Sequence, residues 1–231
     1  MDHQTLYRKY RPKNFNEVVG QNTTVKILKN SIINNRISHA YLFYGPRGTG
    51  KTSIAKIFSR TINCENSNDG ILCEKCDNCN ISSNTDCVDI VEIDAASNNG
   101  VDEIRELKSK VSFVPSQLKY KVYIIDEVHM LSTGAFNALL KTLEEPPKHV
   151  VFILATTELQ KVPLTIISRC HTLEFKKIDN SSMKTKLEEI AKKEIIDIDN
   201  NALDEIVKYS NGGLRDAIGL LEKAYSYSNG L

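Results

Sequence analysis

Two rhythms of apolar positions alternate along the chain. Compact apolar runs occur at Tyr41-Leu42-Phe43-Tyr44, Val88 to Asp94, Lys121 to Asp126, Val150 to Thr156 and His171 to Phe175. Each has the length and β-branched or aromatic content of a strand. Between them the spacing turns helical. Val25, Leu28 and Ile32 form one stripe from about Thr24 to Asn34-Asn35, and Ile54, Ile57, Phe58 and Ile62 form a second. Ile104, Leu107 and Val111 follow the turn Asn98-Asn99-Gly100. Phe136, Leu139, Leu140 and Leu143 follow a capping Ser132 and stop at Pro146-Pro147. Nearly continuous apolar strands alternating with helices predict a parallel sheet covered on both faces. Beyond Ile178-Asp179-Asn180 the strand pattern ends. Three amphipathic helices follow, on Met183, Leu187, Ile190 and Ala191, on Leu203, Ile206 and Val207, and on Leu214, Ala217, Ile218, Leu221 and Ala224. The chain thus divides into an α/β domain over 1–179 and a small helical domain over 180–231. The opening Leu6-Tyr7-Arg8-Lys9-Tyr10-Arg11-Pro12 is basic and aromatic, and proline bars a helix at its end, so it reads as an arm lying on the surface.

Chemistry enters directly after the first strand, at Gly45-Pro46-Arg47-Gly48-Thr49-Gly50-Lys51-Thr52. A strand, a glycine loop ending in Lys-Thr and a helix together fit the P-loop pattern. Backbone N–H groups then wrap phosphates at the positive end of the helix. Lys51 would reach the β- and γ-phosphates, and the Thr52 hydroxyl would coordinate Mg²⁺. Asp126-Glu127 closes the most apolar of the first three strands, where Asp126 would support the Mg²⁺ and Glu127 would polarise an attacking water. Alone, that pair reads equally well as an acidic strand end in solvent; the upstream loop gives it a partner. Thr156-Thr157 ends the next strand and offers a hydroxyl to phosphate or water. Arg215 stands at a helix start, where the dipole disfavours a cation and a bound anion would account for it. Arg169, in Ser168-Arg169-Cys170, precedes the last strand at a sheet edge suited to a neighbour.

Five of the six cysteines lie between Cys64 and Cys87, a segment short of apolar residues. The spacing Cys64-x₈-Cys73-x₂-Cys76-x₂-Cys79 suits a closed tetrahedral zinc site that ties down an insertion over about 64–87. Cys87 could stand in for Cys64, although it abuts the next strand and suits a small packed apolar group; Cys170 is expected to be buried. The five histidines show no pairing with the cysteines and read as ordinary polar residues.

The bulk numbers set only bounds. At 231 residues, 41% hydrophobic and 26% charged, the chain has material for a full core, which excludes disordered and collagen-like classes. No apolar run approaches the roughly 20 residues of a membrane span, and Met1-Asp2-His3-Gln4 lacks the features of a signal peptide, so a cytoplasmic protein is expected. The net charge of +1 supplies no long-range attraction for nucleic acid.

Several stretches together resemble a known family, the gamma/tau subunits of bacterial DNA polymerase III, which are AAA+ ATPases of the sliding-clamp loader. They are Tyr10-Arg11-Pro12 with Val19-Gly20-Gln21, Gly45 to Thr52, the four cysteines, Glu92 to Ser97, Asp126 to Leu131, Leu139 to Pro147, Ser168-Arg169-Cys170 and Leu214-Arg215-Asp216. The resemblance covers nearly the whole chain. It implies an AAA+ P-loop NTPase sheet with a zinc-binding insertion, followed by a helical lid. By resemblance, Arg11, Pro12 and Val19 form the adenine pocket, and Gly45, Pro46, Arg47, Gly48, Thr49, Gly50, Lys51 and Thr52 hold ATP and Mg²⁺. Thr157 matches sensor 1, Leu214 and Arg215 the sensor 2 region of the lid, and Arg169 the arginine finger offered to an adjacent subunit. Cys64, Cys73, Cys76 and Cys79 match the zinc ligands. The implied partners are the delta and delta prime subunits, the sliding clamp and primer–template DNA, with no membrane. The family continues into a third helical domain that joins the subunits, and this sequence stops at Leu231; a motor and lid without that domain is expected, which leaves open a monomer or a member of a ring. Two rival readings stand beside this one: a branch-migration motor of the same superfamily, which leaves the cysteines unexplained, and a zinc-containing nucleic-acid-binding module, for which Glu127 would be superfluous.

Overall fold

The computed structural model describes residues 4–84 and 87–228. Readings that rest on Met1 to His3, on the chain's end at Leu231 and on positions 85 and 86 of the cysteine segment lie outside the described residues. In chain order the helices are α1 (Leu6–Lys9), α2 (Asn22–Ile33), α3 (Lys51–Asn63), α4 (Asp77–Ser83), α5 (Val101–Val111), α6 (Thr133–Glu144), α7 (Leu164–Ile167), α8 (Asn180–Glu194), α9 (Asn200–Tyr209) and α10 (Leu214–Ser228). The strands are β1 (Ala40–Tyr44), β2 (Ile90–Asp94), β3 (Lys121–Asp126), β4 (Val150–Thr156) and β5 (His171–Glu174).

Among the described residues the strands form one sheet in the order β2-β3-β4-β1-β5, with every pairing parallel. From β1 the chain crosses to the far edge at β2, returns through β3 and β4, and then passes over β1 to reach β5. A crevice therefore opens beyond the carboxyl end of β1, where open α/β sheets place their ligands. Alternation along each strand divides its side chains between two cores. Leu42, Tyr123, Ile125, Phe152 and Leu154 meet α5 and α6 on one face, whereas Tyr41, Phe43, Ile124 and Ile153 meet α2 and α3 on the other. β4 is buried along its whole length, which is why it reads in sequence as an unbroken apolar run.

A third core joins α8, α9 and α10 through Met183, Leu187, Ile190, Leu203, Ile206, Ala217, Ile218 and Leu221. Asp179 and Asp199 cap α8 and α9 by accepting the N–H groups of Ser182 and Ala202 at 2.8 and 2.7 Å. Hydrogen bonds, that from the Ser181 hydroxyl foremost, lower the Asp179 carboxyl to about 2. The described helices include none long and apolar enough to cross a membrane.

Three local readings are corrected. The opening segment is not a loose surface arm: α1 makes one helical turn, Leu6 enters the third core, and the Leu6 N–H donates to Glu222 Oε1 at 3.2 Å. Tyr10 and Lys9 both bind Glu194 on α8. Leu6, Tyr7 and Tyr10 share one side of that turn, and Pro12 lies beyond its end. β2 begins at Ile90, two residues later than expected, because Asp89 turns inward and accepts the N–H groups of Ser116, Gln117 and Leu118 at 2.8–3.0 Å. The cysteine segment holds a short helix, α4, whose apolar contacts are too few to have shown a period.

The loop after β1 owes its path to Gly45. Its φ is +146°, and a Cβ there would lie 2.1 Å from the Phe175 carbonyl oxygen, while its N–H donates to the Thr156 carbonyl at 3.3 Å. The loop is thereby pinned between the ends of β4 and β5. Gly45→Ala is expected to lower the unfolding free energy by roughly 2–4 kcal/mol. Gly219→Ala, inside α10 where a Cβ meets nothing within 4 Å, should raise it by about 0.5–1 kcal/mol. Urea denaturation of the two variants checks the opposite signs, and equal shifts would contradict the account of the loop.

Candidate functional site

A cleft of ≈ 810 Å³ lies at the carboxyl ends of the strands, between the sheet and the helical bundle. Its floor is the loop from β1 into α3. Lys51, 6% exposed, turns its ammonium back over the loop and donates to the carbonyls of Gly45 and Pro46, both at 2.8 Å. Burial pushes the Lys51 ammonium below its ordinary value, and the carboxylates of Glu127 and Asp126 oppose that shift. Thr49 closes the turn by donating its hydroxyl to Pro46 O at 2.8 Å. The Thr52 hydroxyl donates to Asp126 Oδ2 at 2.5 Å. Residues 74 apart in sequence thus meet, because β3 ends two strands away from β1 on the same rim.

Glu127 follows Asp126 in the left-handed region, at φ +47°. That conformation is uncommon for a residue with a long side chain and costs about 1–3 kcal/mol. It turns the carboxylate along the rim, where Thr157 Oγ1 donates to Glu127 Oε2 at 3.0 Å. Thr157 therefore reaches the cleft through Glu127, which is a cleft-lining residue, as is Asp126.

Opposite the loop, the start of α10 closes the cleft. A Cβ on Gly48 would lie 3.1 Å from Gly213 Cα, and one on Gly213 would lie 3.1 Å from Arg47 O. The first residues of α10, Leu214 and Arg215, then line the same cleft as Gly48, Thr49, Gly50 and Lys51. The Arg215 guanidinium sits over the Tyr7 ring, 4.8 Å from its centroid. On the third side lie Arg11, Pro12 and Val19, with Arg11 Nε donating to Ser53 Oγ on α3 at 3.0 Å. Arg169 does not reach the cleft. It pairs with Glu144 at 2.7 Å and donates to Thr165 O at the edge of α7.

Several residues of the site gave no separate signal in sequence. Gln21 is 4% exposed and ties three segments together. Its amide donates to the carbonyls of Lys176 at 2.7 Å and Thr49 at 3.3 Å, and its Oε1 accepts the Lys176 N–H at 3.2 Å. Tyr7 and Tyr10 line the cleft together with Lys186 of α8. The basic, aromatic character of the opening segment was the available hint, but nothing in it named α10 as its neighbour. His129, set aside as an ordinary polar residue, has a side chain only 7% exposed beside Glu127.

Away from the cleft, the Sγ atoms of Cys64, Cys73, Cys76 and Cys79 all lie within 4.8 Å of one another. The closer pairs are Cys64 with Cys76 at 4.0 Å and Cys73 with Cys79 at 3.9 Å. The N–H groups of Cys73 and Cys76 point at the sulfurs of Cys64 and Cys73, at 3.3 and 3.4 Å. Backbone N–H groups of Lys75 and Cys76 lower the Cys73 thiol to about 6, while burial raises those of Cys64 and Cys79. Cys87 stands outside this group, and the half-buried Cys170 has its thiol pushed up to about 12 by burial.

Comparison with known proteins follows the same division of the chain. Residues 20–179 match the family described as DNA polymerase III, delta subunit, and residues 185–226 match that described as RCF1/5-like, AAA+ ATPase lid domain. DNA polymerase III subunit tau of Bacillus subtilis is 54% identical over 228 residues, 99% of this chain and 40% of that protein. Subunit tau of Escherichia coli is 46% identical over 230 residues, 100% of this chain and 36% of that protein. Subunit gamma of Buchnera aphidicola subsp. Schizaphis graminum is 45% identical over 228 residues, 99% of this chain and 63% of that protein. The chain thus spans about two fifths of the length of the first two of these relatives. In fold it is similar to the Thermotoga maritima RuvB Holliday junction branch migration motor, with a TM-score of 0.69 at 22% identity over 94% of this chain and 65% of that one. At that identity the likeness concerns the fold alone.

Proposed function

The chain belongs to the DNA polymerase III delta-subunit family, and from that premise we propose that it is an ATPase motor of the tau/gamma type in a bacterial sliding-clamp loader. Working in the cytoplasm with delta and delta prime subunits, it would couple ATP binding and hydrolysis to the opening of the clamp and its loading onto primer–template DNA. Relatives of 45–54% identity over nearly the whole chain carry the names tau and gamma, which favours this reading over a branch-migration motor. The observation that carries it is the convergence of Lys51, the Thr52–Asp126 pair, Glu127 and Arg215 on the rims of one cleft.

In this reading residues 1–179 form the nucleotide-binding domain, with its insertion at about 64–87, and residues 180–231 the lid. The separate cores support that division, except that Leu6 and Ile178 enter the lid's core, with Tyr7, Tyr10 and Val19 packed against it. The N-terminal turn therefore travels with the lid. Gly45 to Thr52 wrap the phosphates with backbone N–H groups, and Lys51 exchanges its two carbonyl partners for β- and γ-phosphate oxygens. Thr52 and Asp126, already within hydrogen-bond reach of each other, would hold Mg²⁺, which neutralises phosphate charge. Glu127, steadied by Thr157, orients the attacking water and accepts its proton. Arg11, Pro12 and Val19 face the base. Arg215 leaves the Tyr7 ring for the γ-phosphate and so ties the lid's angle to the nucleotide. Arg169, on the outside, would complete the site of an adjacent subunit, a contribution of about 10³–10⁵ in rate for such an arginine.

The four cysteines fit a structural Zn²⁺. Tetrahedral sulfurs at about 2.3 Å from zinc lie about 3.8 Å apart, close to the 3.9 and 4.0 Å of the nearer pairs. One thiol is already lowered by backbone N–H groups. The buried sulfurs, costly as bare thiolates, would be stabilised by the cation, which ties the insertion to the end of α3.

Lys51→Ala is expected to weaken ATP binding by at least about 100-fold in equilibrium titration. Binding within threefold of the parent would remove the site assignment. Metal analysis of the purified chain should find about one zinc per molecule, lost in Cys76→Ser together with protease resistance of residues 64–84. Zinc-free protein with an equally resistant insertion would contradict the metal reading.

A further inference from the structure

We propose that His129 is a positioning residue that fixes the carboxylate of Glu127, a role that rests on the reading of Glu127 as the group that activates water. His129 lies in the short 3₁₀ turn Val128–Met130 that follows β3. Its ring stands between the rim of the cleft and the end of β4. Nδ1 lies 3.0 Å from Thr156 Oγ1 and 3.4 Å from Glu127 Oε2. Nε2 faces Glu158 Oε1 at 3.3 Å, and Glu158 is itself paired with Lys161 at 2.9 Å.

The surroundings leave the ring little freedom. Thr156 is fully buried, and its oxygen accepts the Glu158 N–H at 3.0 Å, so this hydroxyl is fixed by the backbone it caps. Glu158 can only accept, so Nε2 carries a hydrogen toward it; with a hydrogen on Nδ1 as well, that second hydrogen faces both the Thr156 oxygen and Glu127 Oε2. Glu127 Oε2 consequently has two neighbours, the Thr157 hydroxyl at 3.0 Å and His129 Nδ1 at 3.4 Å. Among the described residues, no hydrogen bond within the chain reaches Oε1. One oxygen is hydrogen-bonded by Thr157 and flanked by the His129 ring, and the other is left to accept a proton from water.

This division gives a reason for the left-handed backbone of Glu127. Only with the carboxylate turned along the rim can a threonine from the end of β4 and a histidine two residues onward both address the same oxygen. A carboxylate free to rotate by a single χ angle would spend part of its time away from the water. A displacement of about 1 Å in such a group can cost up to about 100-fold in rate.

The test is steady-state ATP turnover and equilibrium nucleotide binding of the full chain in its assembled complex, with substitutions at His129. Glu127→Gln serves as the control: it should abolish turnover and keep binding, and if it leaves turnover intact the water-activating reading falls and the role of His129 with it. With the control met, His129→Leu is expected to lower kcat about tenfold with KM within twofold. His129→Asn places an amide N–H near the position of Nδ1 and should recover most of that loss; His129→Gln, which reaches the position of Nε2, should not. In a Thr157→Val background the loss from His129→Leu should differ from its value in the parent, since both side chains act on one oxygen. The proposal is overturned if His129→Leu turns over within twofold of the parent, if Asn and Gln behave alike, or if all three variants lose nucleotide binding and thermal stability together, which marks a packing role.

Discussion

The contact on which the arrangement depends is the approach of two backbones that carry no side chains, Gly48 in the loop after β1 and Gly213 at the start of α10. A methyl group on either would crowd the other segment at 3.1 Å. Loop and lid can therefore touch, and the first turn of α10 stands over the mouth of α3. Helix α3 directs the positive end of its dipole at the same space. An anion placed there meets N–H groups from below and a guanidinium from above.

The charges of this cleft are not left bare. Lys51 is held by two carbonyls and Arg215 by the face of Tyr7, and outside the cleft Arg169 is held by Glu144. Each of these partners is neutral or exposed, so a phosphate offers each cation a stronger one. The Tyr7 contact has a further consequence. Because α1 packs on α10 and Arg11 reaches Ser53 on α3, the opening segment spans from the lid to α3. Any change in the angle between the two bodies must pass through it. On the other side of the cleft Glu127 has a left-handed backbone that leads into the 3₁₀ turn Val128–Met130, and Thr157 bonds its carboxylate.

What could be read from sequence divides along physical lines. Strands buried on both faces announce themselves, because a sheet covered by helices leaves no polar alternation; β3 and β4 are the clearest cases. The loop from Gly45 to Thr52 was legible because its geometry needs consecutive residues of fixed type. The proximity of Asp126 to Thr52 was expected from the pairing of the glycine loop with an acidic strand end, without a strand order read from the sequence. Contacts across long sequence separations were not legible. Gln21 bonds to Lys176, 155 positions away, and Leu6 to Glu222, 216 away, and neither pair has a local pattern. The helical turn of α1 was hidden by its four-residue length, and α4 by a segment whose hydrophobic content is mostly cysteine. His129 looked ordinary since its meaning lies in three acceptors brought from the ends of two strands.

The central claim is that a triphosphate bridges the glycine loop and the lid through Arg215. Calorimetric titration of ATP and of ADP into the parent chain and into Arg215→Ala tests it most directly. The account predicts that the parent prefers ATP, and that the substitution narrows the ATP-to-ADP preference by roughly tenfold while ADP affinity changes little. An unchanged preference, or an equal loss for both nucleotides, would contradict it.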